Sequence, residues 1–509
     1  MPDATATPSE MIAALILGFY TLVSIALLVF AFHRFWLSWL ARSLNAFAEP
    51  PTVKTANTPT VAVQLPIFNE PEVAERVILA AGEIRYPPDR FEVQVLDDST
   101  DPHSRDAVDR GANTLKDRGV TVSVIRRDDR IGFKAGALQH GLSHTDAELL
   151  AIFDADFIPP KDFLERTVPS FRDPRVGVVQ ARWTHLNHND CWLTRAQANF
   201  LDAHFLVQHV ARLVGKAWIN FNGTAGVWRR ETIADAGGWK HDTLTEDLDL
   251  SYRANLRGWT IAYLPHVGCP AELPPTVAAF KSQQHRWTKG TMQVCLRQTK
   301  TVLSADLPLR VKIEALFHLG SPIVHILLLA LMILMAPAMW ASETLAISIL
   351  PVSSGVAALT TASIGVGVAF TSMIVYLAIG QRHATNTSTS IARAIVGTPL
   401  ALAVAAGLAL TNTRAFLEAC LGRKTPFIRT PKFGANTTTR SMRRTIVAVI
   451  RHLPLFETAL AAYLVASLAW AIAQPAWFVS TPMIAIFATG VLWMATRQAL
   501  ETAISTTEP

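Results

Sequence analysis

Five aspartates and one glutamate stand at the ends of apolar or helical stretches. Asp97 and Asp98 close the run in "FEVQVLDDST", Asp154 and Asp156 close "LLAIFDAD", and Glu246 and Asp247 open "EDLDL". A buried carboxylate is costly unless it is paired, hydrogen-bonded or bound to metal, so the pattern asks for a cation or a cluster of donors. Taken alone, each group also has a plain reading. Asp97, Asp98 and Asp101 suit caps of a turn and helix, and Glu246, Asp247 and Asp249 suit the favourable acidic start of a solvated helix. Gln283, Arg286 and Trp287 in "QQHRW" share helix-compatible spacing and suit an amphipathic helix facing a bilayer. Two strand ends carrying paired acids tip the balance toward a site.

The elements that must position these groups follow from periodicity. "TVAVQLPI", "FEVQVLDD", "VTVSVIRR" and "ELLAIFDAD" read as strands, separated by helical segments at Glu72 to Ile84 and Ser104 to Arg118. Strands alternating with helices predict a parallel α/β sheet whose ligands gather beyond the carboxyl ends of its strands. This domain is expected over residues 48–310.

The rest of the chain is greasier. Half of the 509 residues are hydrophobic, and Met11 to Phe32 is uncharged and long enough to cross a hydrocarbon core about 30 Å thick. With Asp3 and Glu10 before it and no small-residue cleavage pattern, it predicts an uncleaved anchor within residues 1–47. In residues 311–509, Leu316 to Ser342 and Gly355 to Gly380 read as spans, and Thr458 to Thr496, broken by Gln474-Pro475, reads as a helical hairpin. The segment 413–452 holds nine Lys and Arg against Glu418 alone, which places it in the cytoplasm together with the domain behind Arg34 and Arg42. Keeping those signs requires Ala394 to Leu410 to lie at the interface, giving five spans with the N-terminus outside and the C-terminus inside. The net charge of +6 is explained by anionic membrane lipids and calls for no nucleic acid. Cys191, Cys269, Cys295 and Cys420 are isolated, which suggests neither zinc nor disulfides.

"VQLPIFNE", "VQVLDDSTD", "GFKAGAL", "AIFDADFIPP", "FNGTAGVWR", "TEDLDL" and "QQHRW" resemble, in this order, the motifs of glycosyltransferase family 2. They look most like its processive branch, with cellulose synthase and the cellulose synthase-like A glucomannan 4-beta-mannosyltransferases. The resemblance covers about Thr60 to Gly290, and "KTPFIRTPKFG", Lys424 to Gly434, is similar to the branch's cytoplasmic gating loop. It implies a GT-A, Rossmann-like domain inserted between transmembrane helices, an integral inner or plasma membrane protein with its catalytic domain cytoplasmic.

By the same resemblance, Asp247 is the catalytic base with Glu246 in support. Asp97, Asp98, Lys134, Asp154, Gln283 and Arg286 bind the donor, Trp287, Asn222, Gly223 and Thr224 face the acceptor, and Asp154 and Asp156 hold Mg²⁺ or Mn²⁺. Asn222 stands where cellulose synthases usually have Cys. The chain ends soon after its last apolar run, without the cyclic-di-GMP-binding domain typical of bacterial cellulose synthases, and its single leading anchor resembles the mannan-synthase branch. The expected activity is inverting, processive elongation of a β-1,4-linked mannan or glucomannan from GDP-mannose. The alternatives are a β-glucan synthase or glycolipid glucosyltransferase using UDP-glucose, with a growing polysaccharide or a lipid as acceptor, and a non-catalytic membrane transport or binding protein.

Overall fold

The computed structural model describes residues 7–42, 58–348, 353–385, 390–423, 452–474, 477 and 480–505. A seven-stranded sheet forms the centre of the domain: β1 (Val61–Ile67), β2 (Phe91–Asp97), β3 (Val122–Ile125), β4 (Leu149–Ile152), β5 (Val176–His185), β6 (Gly226–Arg229) and β7 (Thr260–Ala271). Their order across the sheet is β3-β2-β1-β4-β6-β5-β7. The four strands expected from periodicity are β1 to β4, all parallel. The expectation of a wholly parallel sheet needs one correction, because β6 runs antiparallel to both β4 and β5. In that register Ile152 opposes Gly226, so β6 begins where β4 ends. Phe221 to Ala225, just before β6, therefore share an edge with Asp154 and Asp156, just after β4.

Both faces of the sheet are covered, as parallel strands require. Val63, Leu65, Val93, Val95, Ala151 and Val227 belong to one buried cluster and Ala62, Leu96, Leu150, Ile152 and Trp228 to the other, the alternation that a period of two dictates. Two buried glutamines interrupt the apolar strands. Gln64 Nε2 donates to Gln94 Oε1 (3.0 Å) and Gln94 Nε2 to the His144 carbonyl (3.0 Å), which offsets part of the cost of burying them.

The covering helices are α2 (Pro71–Gly82), α3 (Pro102–Asp117), α4 (Phe133–Gly141), α5 (Phe163–Thr167), α6 (Trp192–Ala203), α7 (Val210–Val214), α8 (Arg230–Asp235) and α9 (Glu246–Leu256). A π-helical turn, His204–His209, joins α6 to α7. The domain ends in α10 (Val277–Ser304) and α11 (Leu309–Leu319).

Outside the domain lie α1 (Pro8–Leu40), α12 (Ile323–Ser348), α13 (Ser353–Thr385), α14 (Ser390–Cys420), α15 (Leu455–Ala473) and α16 (Thr481–Ser505). Thr7 and Glu10 start α1 with a reciprocal capping box. Among the described residues, five helices are long and apolar enough to cross a membrane: α1, α12, α14, α15 and α16. Ala394 to Leu410 is thus the middle of a 31-residue helix rather than a short segment.

Contacts distinguish α14 from the others. At one end Ala394 and Ala401 join the cluster of Ala203 and Phe205, in the middle Val404 and Leu408 pack with Leu193, Ala196, Val277 and Phe280, and at the far end Glu418 meets Lys289. Its other face, through Ala406 and Ala409, packs on α1, α12, α15 and α16. Glu457 at the start of α15 and Glu501 near the end of α16 also reach the domain. The gating-loop-like stretch Lys424 to Gly434 and most of segment 413–452 fall outside the described residues.

Candidate active site

An open cleft of about 330 Å³ lies at the carboxyl edge of β1, β2 and β4 and is closed below by α9 and α10. Of the thirteen residues singled out from sequence, Asp98, Lys134, Asp154, Asp156, Asn222, Gly223, Glu246, Asp247, Gln283, Arg286 and Trp287 line it. Asp97 and Thr224 do not. Asp97 is buried, its carboxylate accepting from Arg126 Nε (2.8 Å) and the Ser99 amide (3.0 Å). Thr224 is fully buried, and its hydroxyl accepts from the Asp154 amide (2.8 Å). These two build the strand ends that carry the site. Asp101 caps α3, accepting from the Ser104 amide (2.8 Å), so the capping reading holds for it.

Asp98 lines the cleft yet is tied into an ion pair with Arg127, whose Nε donates to Oδ1 (2.9 Å) and whose Nη2 meets Oδ2. The same guanidinium donates to the carbonyls of Ile131 (2.9 Å) and Phe133 (3.1 Å). That fixes the turn leading into α4, where Gly132 takes φ +76°, and Lys134 is the second residue of that helix. Lys134 Nζ donates to Asp154 Oδ1 (2.5 Å) and to the Gly223 carbonyl (2.9 Å). Burial presses its ammonium down, but Asp154, Glu246 and Asp247 outweigh that and hold its pKa above the ordinary lysine value.

Gly223 is required twice over. Its φ is +86°, and a Cβ there would lie 2.9 Å from Asp247 Oδ2, so only glycine brings the backbone this close to the carboxylate. Asp247 accepts from the Leu248 amide (2.8 Å) at the first turn of α9. Burial, then the neighbouring Glu246, push its pKa up to about 7, with Lys134 and that amide pulling the other way. Glu246 is also raised, chiefly by burial and against the pull of Lys134. A carboxyl near neutrality in a cleft has the profile of a proton acceptor at physiological pH.

On α10, burial lowers the Arg286 pKa, opposed by Glu246, Asp154, Asp156 and Asp247. Trp287 leans on Trp183, ring centroids 6.4 Å apart, and Trp183 meets Phe157 edge-on at 5.4 Å. Trp183, at the end of β5, is an aromatic lining group that the motifs do not reveal. Only its place at a strand's carboxyl edge gives it away. Arg130, stacked over the Phe68 ring at 3.1 Å, lines the same cleft and equally escapes a reading by carboxylates.

Among the described residues no group of three or more His, Cys, Asp or Glu gathers into a closed metal cage. Asp154 and Asp156 offer hard oxygens on one strand end, a donor set that fits Mg²⁺ or Mn²⁺ when substrate phosphates complete the shell and does not fit structural zinc.

Acids converging with a lysine and an arginine beyond the strand ends of an α/β sheet are the arrangement that sugar transfer from a nucleoside diphosphate sugar demands. Residues 59–290 match the family described as "Glycosyltransferase like family 2". Glucomannan 4-beta-mannosyltransferase 2 of Arabidopsis thaliana is 45% identical over 240 residues, 46% of this chain and 45% of that protein. Glucomannan 4-beta-mannosyltransferase 9 of the same plant is 39% identical over 297 residues, 55% and 56% of the two, and glucomannan 4-beta-mannosyltransferase 1 of Cyamopsis tetragonoloba is 44% identical over 249, 48% and 47%. The chain spans about half the length of the relatives it matches. Among solved structures, the mannosyltransferase PcManGT from Pyrobaculum calidifontis in complex with GDP-Man and Mn2+ is 22% identical, with a TM-score of 0.46 over 75% of this chain and 100% of that one. Residues 59–290 thus resemble glycosyltransferase family 2, and the sequences they are similar to are those of glucomannan 4-beta-mannosyltransferases.

Proposed function

We propose that the protein is a membrane-embedded, metal-dependent, inverting glycosyltransferase that elongates a β-1,4-linked mannan or glucomannan from GDP-mannose. The observation that carries this reading is Asp247, a half-buried carboxyl raised to about 7 in the same cleft as the Asp154/Asp156 pair and Trp287. Asp247 takes the proton of the attacking sugar hydroxyl, a role that a group poised near the working pH performs best. Lys134 and Arg286 hold the diphosphate, Arg286 through its planar fork. Asp156 and Asp154 would hold a divalent ion, which would supply Lewis-acid stabilisation for the leaving diphosphate. Trp287, with Trp183 behind it, presents an apolar face to the acceptor sugar ring. The names of the relatives support mannosyl as the transferred group.

The placement of α14 supports five crossing helices, α1, α12, α13, α15 and α16, with α14 lying in the interface beneath the domain. In this arrangement the catalytic domain faces the cytoplasm, where nucleotide sugars are found. The test is the purified full chain offered labelled GDP-mannose, UDP-glucose and UDP-N-acetylglucosamine in parallel with Mg²⁺ or Mn²⁺. Label from GDP-mannose should enter a long polymer cleaved by a β-mannanase. Incorporation from UDP-glucose alone would turn the reading to a β-glucan synthase, and one or two sugars added to lipid would turn it to a glycolipid transferase.

A further inference from the structure

Behind the acceptor side of the cleft, the fully buried His209 and the half-buried His204 grip one amide. His209 Nε2 lies 2.7 Å from Asn222 Oδ1, Asn222 Nδ2 lies 3.0 Å from His204 Nε2, and His204 Nδ1 lies 2.9 Å from Gln208 Oε1. The π-helical turn makes this possible. Residues five apart on an α-helix are rotated by about 140°, which would aim His204 and His209 apart. The i→i+5 bonding of the turn brings their ring centroids to 4.6 Å. Neither ring is charged: burial, then hydrogen bonding against it and the Arg212 charge, leave His204 at about 4, and burial holds His209 well below its ordinary value.

The chain of hydrogen bonds has two possible directions, and burial selects one. His209 Nδ1 is buried without a hydrogen-bond partner among the described residues. If His209 donates through Nε2, that lone atom is a bare acceptor; in the reverse direction it would be a bare N–H, the rarer and costlier case. The direction is therefore His209 Nε2–H to Asn222 Oδ1, Asn222 Nδ2–H to His204 Nε2, and His204 Nδ1–H to Gln208. Asn222 is held a third time, its amide N–H donating to Gln180 Oε1 (2.8 Å). The next residue is Gly223, whose carbonyl holds Lys134 and whose Cα abuts Asp247.

We infer that His204 and His209 are positioning residues for the acceptor: by gripping the Asn222 side chain in one orientation they present a fixed hydrogen-bonding amide to a sugar hydroxyl beside Asp247. The inference rests on the transferase reading above. It predicts a loss confined to the acceptor, because the donor-side groups Lys134, Asp154 and Arg286 are untouched. The experiment compares, in the full chain, the rate of elongation on a manno-oligosaccharide with the rate of GDP-mannose hydrolysis in its absence. His209→Leu should lower the ratio of elongation to hydrolysis roughly tenfold, the effect of one misplaced hydrogen bond, through a higher KM for the oligosaccharide. His209→Gln, which restores an N–H donor, should recover most of it, a rescue that a purely structural role would not show. If His209→Leu does not fold, His204→Phe keeps the ring, loses the acceptor nitrogen and is read in the same way. Elongation and hydrolysis falling together, or an unchanged ratio, would overturn the inference while leaving the transferase reading intact. A parent protein that turns over none of the nucleotide sugars would overturn both.

Discussion

At the scale of single residues, the proposed chemistry turns on Asp247 and Gly223. Asp247→Asn keeps the shape but cannot take a proton, so elongation should fall below a few per cent of the parent while donor binding, followed by calorimetry, stays nearly intact. In the parent, kcat/KM should rise with pH through about 7 as Asp247 ionises. The same shift has a stability consequence of opposite sense. A carboxyl whose folded pKa is raised binds more protons folded than unfolded between about 4 and 7, so its contribution to stability is lost as pH rises through that window. Asp247→Asn should therefore melt higher than the parent at pH 8, and by a smaller margin at pH 5. Gly223→Ala adds a left-handed backbone cost on the order of 1–2 kcal/mol and pushes a methyl group against Asp247 Oδ2. It should reduce turnover far more than it reduces the melting temperature.

At the scale of elements, α10 carries Gln283, Arg286 and Trp287 to the cleft and is bolted to the membrane helices by its other residues. Glu501 of α16 accepts from the amides of Val277 (3.0 Å) and Ala278 (3.1 Å), satisfying the exposed donors at the start of α10. Lys281 donates to Glu457 (3.3 Å) and Gln498 (2.8 Å), and the buried Lys289 lies 3.1 Å from Glu418, which also meets His285 and Arg414. Breaking a buried pair leaves an uncompensated charge and costs about 3–5 kcal/mol, whereas replacing both partners with apolar groups is often neutral. Glu418→Leu should thus lower the melting temperature in detergent more than the double variant Glu418→Leu with Lys289→Met does. Equal losses would mean that the pair contributes no coupling.

The same element marks the limit of what the sequence discloses. The strands β1 to β4 were legible because parallel strands are apolar throughout and stop in polar residues, and the carboxylates stood out because acids are rare at such ends. Glu418 looked like a lone acid in a basic segment, and its partner 129 residues away lies beyond any periodicity. Asp97 and Thr224 sat inside matching motifs but serve the scaffold, since a motif preserves geometry as well as chemistry. The antiparallel β6 is four residues long, too short for alternation to declare its direction. The pairing of His204 with His209 depends on a π-helical turn, which no helical template anticipates.

At the scale of the whole molecule, the proposed topology turns on α14. Length and composition alone would count it as a crossing helix, yet both its ends and its middle touch α6 and α10, and a helix that crossed would carry one end roughly 30 Å away from the domain. If α14 lies in the interface, the residues before and after it share one side of the membrane. A reporter inserted near Gly434 and another near Ser170 should both score as cytoplasmic, and single cysteines near Thr387 and Arg423 should resist an impermeant reagent added outside intact cells but react after permeabilisation. The basic residues after α14 agree with that side, because Lys and Arg accumulate on cytoplasmic loops. Opposite locations for the Ser170 and Gly434 reporters would mean that α14 crosses after all.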